Sequence, residues 1–204
     1  MFATIAIQIP LVVLPVLQVP QPTRDCQLEV LSRQAIEERA FAAFDTAVQR
    51  YVMLHRRLAR SLAMPSIHDD EDRFHTEGLQ AALIAARPQA RAGMFFTSEV
   101  TILLRERIDA AFACHPGAAT AAIVRGGYEP LPGEPGPQVN EPFPPVVASV
   151  RWMPLVRALP PLPRELGFAL WGRDLVLVDV AANLVLDILP EALPESAGPG
   201  VLYR

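Results

Sequence analysis

The stretch from Pro161 to Pro194 constrains the fold more than any other part of the chain. It holds three short runs rich in Val, Leu and aromatic residues, Leu166–Trp171, Leu175–Val180 and Leu184–Leu189, each bounded by turn residues. Such runs read as strands. Gly172-Arg173 is a two-residue connection with glycine first, which suits a type II′ hairpin because glycine takes φ > 0 there without strain. Ala181-Ala182-Asn183 closes the second pair, with asparagine tolerating the left-handed conformation that ends a three-residue loop. The expectation is a three-stranded antiparallel meander. Placing Trp171 opposite Asp174 sets Leu170 against Leu175 and Phe168 against Leu177. Placing Val180 opposite Leu184 sets Val178 against Leu186 and Val176 against Ile188. One face then reads Ala169, Trp171, Val176, Val178, Val180, Leu184, Leu186 and Ile188, wholly apolar. The other holds Phe168, Leu170, Leu175, Leu177 and Val185 together with Asp179 and Asp187. Three strands alone are marginal, so the first face is expected to pack on helices. The second is expected to be partly wet, with the two aspartates keeping it soluble. Paired carboxylates also suit a cation or acid–base work, but no third ligand or nucleophile stands near them in sequence. A slip of one residue would exchange the two faces.

Upstream, residues 26–63 read as one long helix. Phe41, Phe44, Val48, Tyr51, Val52, His55, Leu58 and Leu62 recur at spacings of three and four and form one apolar stripe. His55 falls within the stripe and reads as a hydrogen-bonded core or boundary histidine in preference to a ligand. Arg50, Arg56, Arg57 and Arg60 lie off the stripe and read as a solvated face, with phosphate or an acidic partner as the functional alternative. Pro65 ends the run. A second helix is expected from about 70 to 87, stopping before Pro88, with Leu79, Ala82, Leu83 and Ala86 on its apolar side. After a connector turning at Gly93, Thr97 is placed to cap a third helix carrying Glu99 in its first turn. Val100, Leu103, Leu104, Ile108, Ala111 and Phe112 mark its buried side, and it ends near Cys114–Gly117. Ala118–Val124 reads as a further helical piece closed by Gly126-Gly127.

These elements make an α+β protein, a helical hairpin or three-helix unit packed on a small C-terminal three-stranded antiparallel β-meander. The organisation expected is a signal-like apolar segment over 1–23, a helical region over 24–127, a proline-rich linker over 128–160, the meander over 161–194 and a tail over 195–204. Many of the 21 prolines fall at the N-terminus and within 129–163, so the linker is expected to be extended and to cross the surface of the helices. Val146–Leu159 adds a short strand or helix ahead of the meander.

Residues 1–23 carry no charge, and their apolar part has the length of a signal-peptide core. No basic residue precedes it and no A-x-A pattern follows. Pro10, Pro15 and Pro20 would interrupt a membrane helix. Export is the leading expectation, with an anchor or an ordinary strand as alternatives. The net charge of −4 is too mild to imply nucleic acid or an anionic membrane surface. All 18 basic residues are arginine, which reads as the mark of a GC-rich genome. Cys26 and Cys114 either pair in an oxidising compartment or stay reduced. An up-down-up order of helices would put them at opposite ends.

The most ligand-like cluster is Ser66–His75, with His68, His75 and four carboxylates within ten residues. Imidazole and carboxylate suit a borderline cation, but the spacing matches no metal motif, and acidic residues before a helix complement its dipole. The chain has no G-x-S-x-G, P-loop or dinucleotide fingerprint. No catalytic, cofactor-binding or metal-binding residue is therefore assigned.

Residues 48–58, 91–100 and 159–190, in that order, resemble an uncharacterised family of exported bacterial proteins from GC-rich genomes. The resemblance spans most of 40–194 and is most specific at 159–190. It implies export and a layout of helices plus hairpin, and it implies no activity. The hairpin from Gly172 to Leu189 is also loosely similar to one in small periplasmic proteins linked to nickel and cobalt homeostasis. The function expected is that of a non-enzymatic periplasmic or secreted envelope protein with a structural or partner-binding role. A protein partner is possible; nucleic acid and an integral membrane domain are not expected. The alternatives are a periplasmic metal-binding protein using the His68–His75 segment, an enzyme of unknown class, and a cytoplasmic location.

Overall fold

A computed structural model of the chain describes residues 24–62, 69–114, 130–131, 133–143, 150 and 152–194, with side chains from 34 onward in the first segment and 75 onward in the second. The chain divides into two units, Met1–Gln34 and Ala35–Arg204, and the fold is that of the second. The helices are α1 (Arg24–Leu62), α2 (Asp69–Ala86), α3 (Ser98–Cys114) and the short α4 (Met153–Ala158); the strands are β1 (Leu166–Trp171), β2 (Asp174–Asp179) and β3 (Leu184–Leu189). The expected α+β architecture is present, its sheet ordered β1-β2-β3 and antiparallel throughout. Among the described residues no helix is long and apolar enough to cross a membrane.

The β1–β2 register is the expected one, with Phe168 opposite Leu177 and Leu170 opposite Leu175. Gly172 has φ 56 and Asn183 φ 48, so both turns use the left-handed conformation at the residue suited to it. The β2–β3 register departs from expectation. Val176 pairs Ile188, but Val178 pairs Val185 and Asp179 pairs Leu184, with a bulge at Leu177/Val178. The ladder passes over Leu186, and Val180 leaves the strand for the turn, where it is 58% exposed. A bulge of this kind re-aims the side chains beyond it.

The two faces of the sheet are the reverse of the sequence expectation along β1 and β2, whereas Leu184 and Leu186 of β3 meet the helices as expected. Leu170, Leu175 and Leu177, with Leu184, Leu186 and Leu189, join the core made with Phe44, Val48, Tyr51, Leu83, Phe96, Leu104 and Ile108 of the helical region. Asp179 and Asp187 lie on this covered side and are fully buried. The face expected to meet helices, Ala169, Trp171, Val176, Val178 and Ile188, instead packs against Val139 and Phe143 of the proline-rich segment. The sequence pattern ranks faces by apolar content, and a face holding two carboxylates loses on that count unless partners for them are supplied from elsewhere.

The proline-rich segment is thus more than a tether. Asn140 N–H donates to Val185 O, Val185 N–H to Glu141 O and Phe143 N–H to Asn183 O, at 2.9, 2.9 and 3.0 Å. Pro142 pairs with Leu184. The segment covers the back of the sheet and the outer edge of β3, which would otherwise offer unpaired groups. Val150 N–H bonds Phe168 O at 3.0 Å on β1. Of the region 146–159, Met153–Ala158 is helical and buries Leu155. It packs on α3, with Trp152 edge-on to Phe112 at 5.0 Å between ring centres. Ala118–Val124 and residues 1–23 lie outside the described residues.

If Phe143 is a core residue of the back layer, Phe143→Ala will cost about 3 kcal/mol, read from urea unfolding. A loss under about 1 kcal/mol would be a surface effect and would return the segment to the role of linker.

Candidate functional site

Each buried aspartate is satisfied by groups far away in sequence. Asp179 Oδ2 accepts from Tyr51 Oη at 2.6 Å and from His55 Nδ1 at 2.5 Å. Its Oδ1 accepts from Ala182 N–H at 2.8 Å. Tyr51 and His55 stand four residues apart on α1, so one helical turn presents both to the end of β2. Asp187 serves the connector before α3. Its Oδ2 accepts from Phe95 and Phe96 N–H at 2.7 and 2.8 Å, and its Oδ1 from Gly93 N–H at 2.8 Å and Ile188 N–H at 2.9 Å. Gly93, with φ 83, lets the backbone turn its N–H groups inward. Thr97 caps α3 as expected, its Oγ1 accepting from Val100 N–H at 3.4 Å.

Arg87 adds the cation. Its guanidinium lies over the Tyr51 ring at 5.0 Å and the Phe95 ring at 5.9 Å. Both terminal nitrogens are buried without a hydrogen-bond partner. Burial pulls its pKa down, while Tyr51, Asp187 and Asp179 act in the opposite sense. The cation–π contacts and the field of the two carboxylates hold the charge inside. Tyr51 is pushed well above the ordinary phenol range, first by burial and then by the neighbouring Asp179 charge, so it remains the donor of its bond.

His55 is 5% exposed, in keeping with the reading of a hydrogen-bonded core histidine. It also lines a cleft of about 530 Å³ with Arg56, Ala59, Arg60, Arg164, Glu165 and Ala181. With Nδ1–H on the carboxylate, the neutral ring carries its lone pair on Nε2. Arg56 Nε donates to Glu165 Oε1 at 2.7 Å, and Arg164 Nε lies 3.7 Å from the same oxygen. Glu165 is buried with its Oε2 unbonded. Its pKa is lowered, chiefly by the Arg56 hydrogen bond. Three guanidiniums against one carboxylate leave the cleft with a positive balance.

The other sequence candidates do not assemble here. His75 is exposed on α2, and His68 lies outside the described residues. Among the described residues no group of three or more His, Cys, Asp or Glu could hold a metal ion. Asp179 and Asp187, expected to solvate an open face, do not act as a pair; each serves a different part of the helical region. Cys114 is a free, exposed thiol at the end of α3. The constellation of Tyr51, His55, Arg87 and Asp179 was not legible as a unit, because 124 residues separate His55 from its carboxylate. The available signals were a histidine in an apolar stripe and aspartates inside apolar strands. No known family model matches the chain, and neither does any curated protein or solved structure.

Two outcomes are expected. Asp187→Asn turns an acceptor toward four backbone donors into an amide and will cost on the order of 3 kcal/mol in denaturant unfolding; a loss within about 0.5 kcal/mol, the range of ordinary surface changes, would remove the pin. Tyr51→Phe will be less stable than the parent by about 1–3 kcal/mol at neutral pH. Because the folded phenol is raised above its unfolded value of 10.0, its stabilisation is fully present below that pH. It is lost as pH rises further, since the unfolded tyrosine ionises first. The gap between parent and variant should therefore narrow above about pH 10, and a constant gap would show that Tyr51 ionises normally in the fold.

Proposed function

We propose that the protein is a binding module for a small anion, carrying a phosphate or carboxylate group, seated in the cleft beside His55. The observation that carries this reading is the convergence of Arg56, Arg60 and Arg164 on one cleft whose acidic residue, Glu165, is already committed to Arg56. Its volume lies in the range of small-ligand sites. Arginine suits phosphate and carboxylate because its planar fork matches two oxygens at once. The reading is non-enzymatic and extends the partner-binding role expected from the sequence. Export is part of the proposal, supported by the uncharged N-terminal stretch.

A second reading is favoured by the His55–Asp179 pair itself, since a carboxylate on Nδ1 orients an imidazole for proton exchange at Nε2. No Ser, Thr or Cys is among the described lining residues, so the nucleophile of such a reaction would be water. Hydrolysis of p-nitrophenyl phosphate or acetate, lost in His55→Gln, would replace the binding reading by this one.

Calorimetric titration with inorganic phosphate tests the proposal. Saturable one-to-one binding is expected, weakened about tenfold or more, a loss of some 1.4 kcal/mol, by Arg60→Ala with Arg164→Ala. The same affinity in that double variant, or no saturable heat with phosphate or acetate, would overturn it.

A further inference from the structure

The buried side of α1 explains Tyr51 and His55, and Arg56 and Arg60 border the cleft; the outermost positions, Arg50, Met53 and Arg57, are used by nothing above. From Thr46 to Leu62 the helix contains no acidic residue, and its charges are Arg50, Arg56, Arg57 and Arg60. Arg50, Met53, Arg57 and Arg60 follow at spacings of three, four and three, which makes one continuous stripe. It lies opposite the core positions Phe44, Val48, Tyr51 and His55. Met53, at the stripe's centre, is 70% exposed. With Arg56 and Leu54 these residues bound a shallow depression of about 430 Å³. Arg50 and Arg57 make no ion pair among the described residues. Neighbouring like charges on a helix oppose its formation, and the helix C-terminus offsets this only over its last turn. A protein of net charge −4 thus keeps a cationic face on which Arg50 and Arg57 have no counter-charge among the described residues, which the net charge conceals.

We propose that the Arg50–Met53–Arg57–Arg60 face of α1 docks on a membrane surface carrying anionic phospholipids. Arginine stems lie along apolar material while their heads reach phosphates. The exposed Met53 between them supplies the apolar contact that a headgroup boundary accommodates. An acidic peptide would pair the arginines and leave Met53 in water. Single-stranded nucleic acid is held by aromatic stacking as well as charge, and no aromatic residue is among the described residues that border the depression. The inference is independent of the ligand in the cleft, and Arg50, Met53 and Arg57 do not line that cleft.

The test is co-sedimentation of the full chain with vesicles of phosphatidylcholine alone and of phosphatidylcholine with phosphatidylglycerol. Binding is expected on the anionic vesicles, falling as salt screens the contact. Arg50→Gln with Arg57→Gln should lower partitioning about 25-fold, roughly fivefold for each arginine near an anionic surface. Met53→Ser should lower it severalfold, with circular dichroism and phosphate affinity unchanged in both variants. Equal binding to both vesicle types, as insertion of residues 1–23 would give, overturns the proposal if the arginine variant binds no less. Binding to polyglutamate or single-stranded DNA without binding to anionic vesicles overturns it as well.

Discussion

Two carboxylates buried inside the sheet are the constraint on which the rest of the structure depends. An ionised carboxylate survives away from water only where donors surround it, and Asp179 and Asp187 each find three or more. The donors come from α1 in one case and from the connector before α3 in the other. Apolar contact alone would let the helices slide over a surface of leucines. The two directional sites fix their position, since displacing either would strand a buried charge. Arg87, over the rings of Tyr51 and Phe95 and in the field of both acids, offsets part of their charge.

Much of the fold was legible because its signals are local. Gly172 and Asn183 announce their turns, and Thr97 caps α3 within four residues of its own position. The helix stripes follow from spacing. The faces of the sheet were misread because the decisive partners are distant. Asp179 and Asp187 look like solvating residues until Tyr51, His55 and the amides of Gly93, Phe95 and Phe96 come into place. The bulge at Leu177/Val178 leaves Leu184 and Leu186 on the helical side, as expected of them, but parts them from Val176 and Val178, with which they were grouped. Likewise, proline content identified 128–145 as extended but could not show that Val139 and Phe143 fill the back of the sheet.

The candidate site depends on both kinds of signal. His55 was visible as a histidine within a stripe, and its partner was not. The cleft draws Arg56 and Arg60 from α1 and Arg164 and Glu165 from the approach to β1, a convergence that only tertiary structure creates. The same helix divides its duties by face. One side delivers two donors to a buried acid, and the other keeps its arginines in water.

The separation of 128 residues between Tyr51 and Asp179 also orders the birth of the molecule. The helices leave the ribosome first, and the part of their apolar stripes that meets the sheet has no cover until β1–β3 follow. Contacts of such long sequence range close slowly, and surface left open meanwhile invites aggregation. A chain stopped anywhere before β2 would hold Tyr51 and His55 with nothing to receive them. Completion of the fold therefore waits for β2 and β3, the last described elements in chain order.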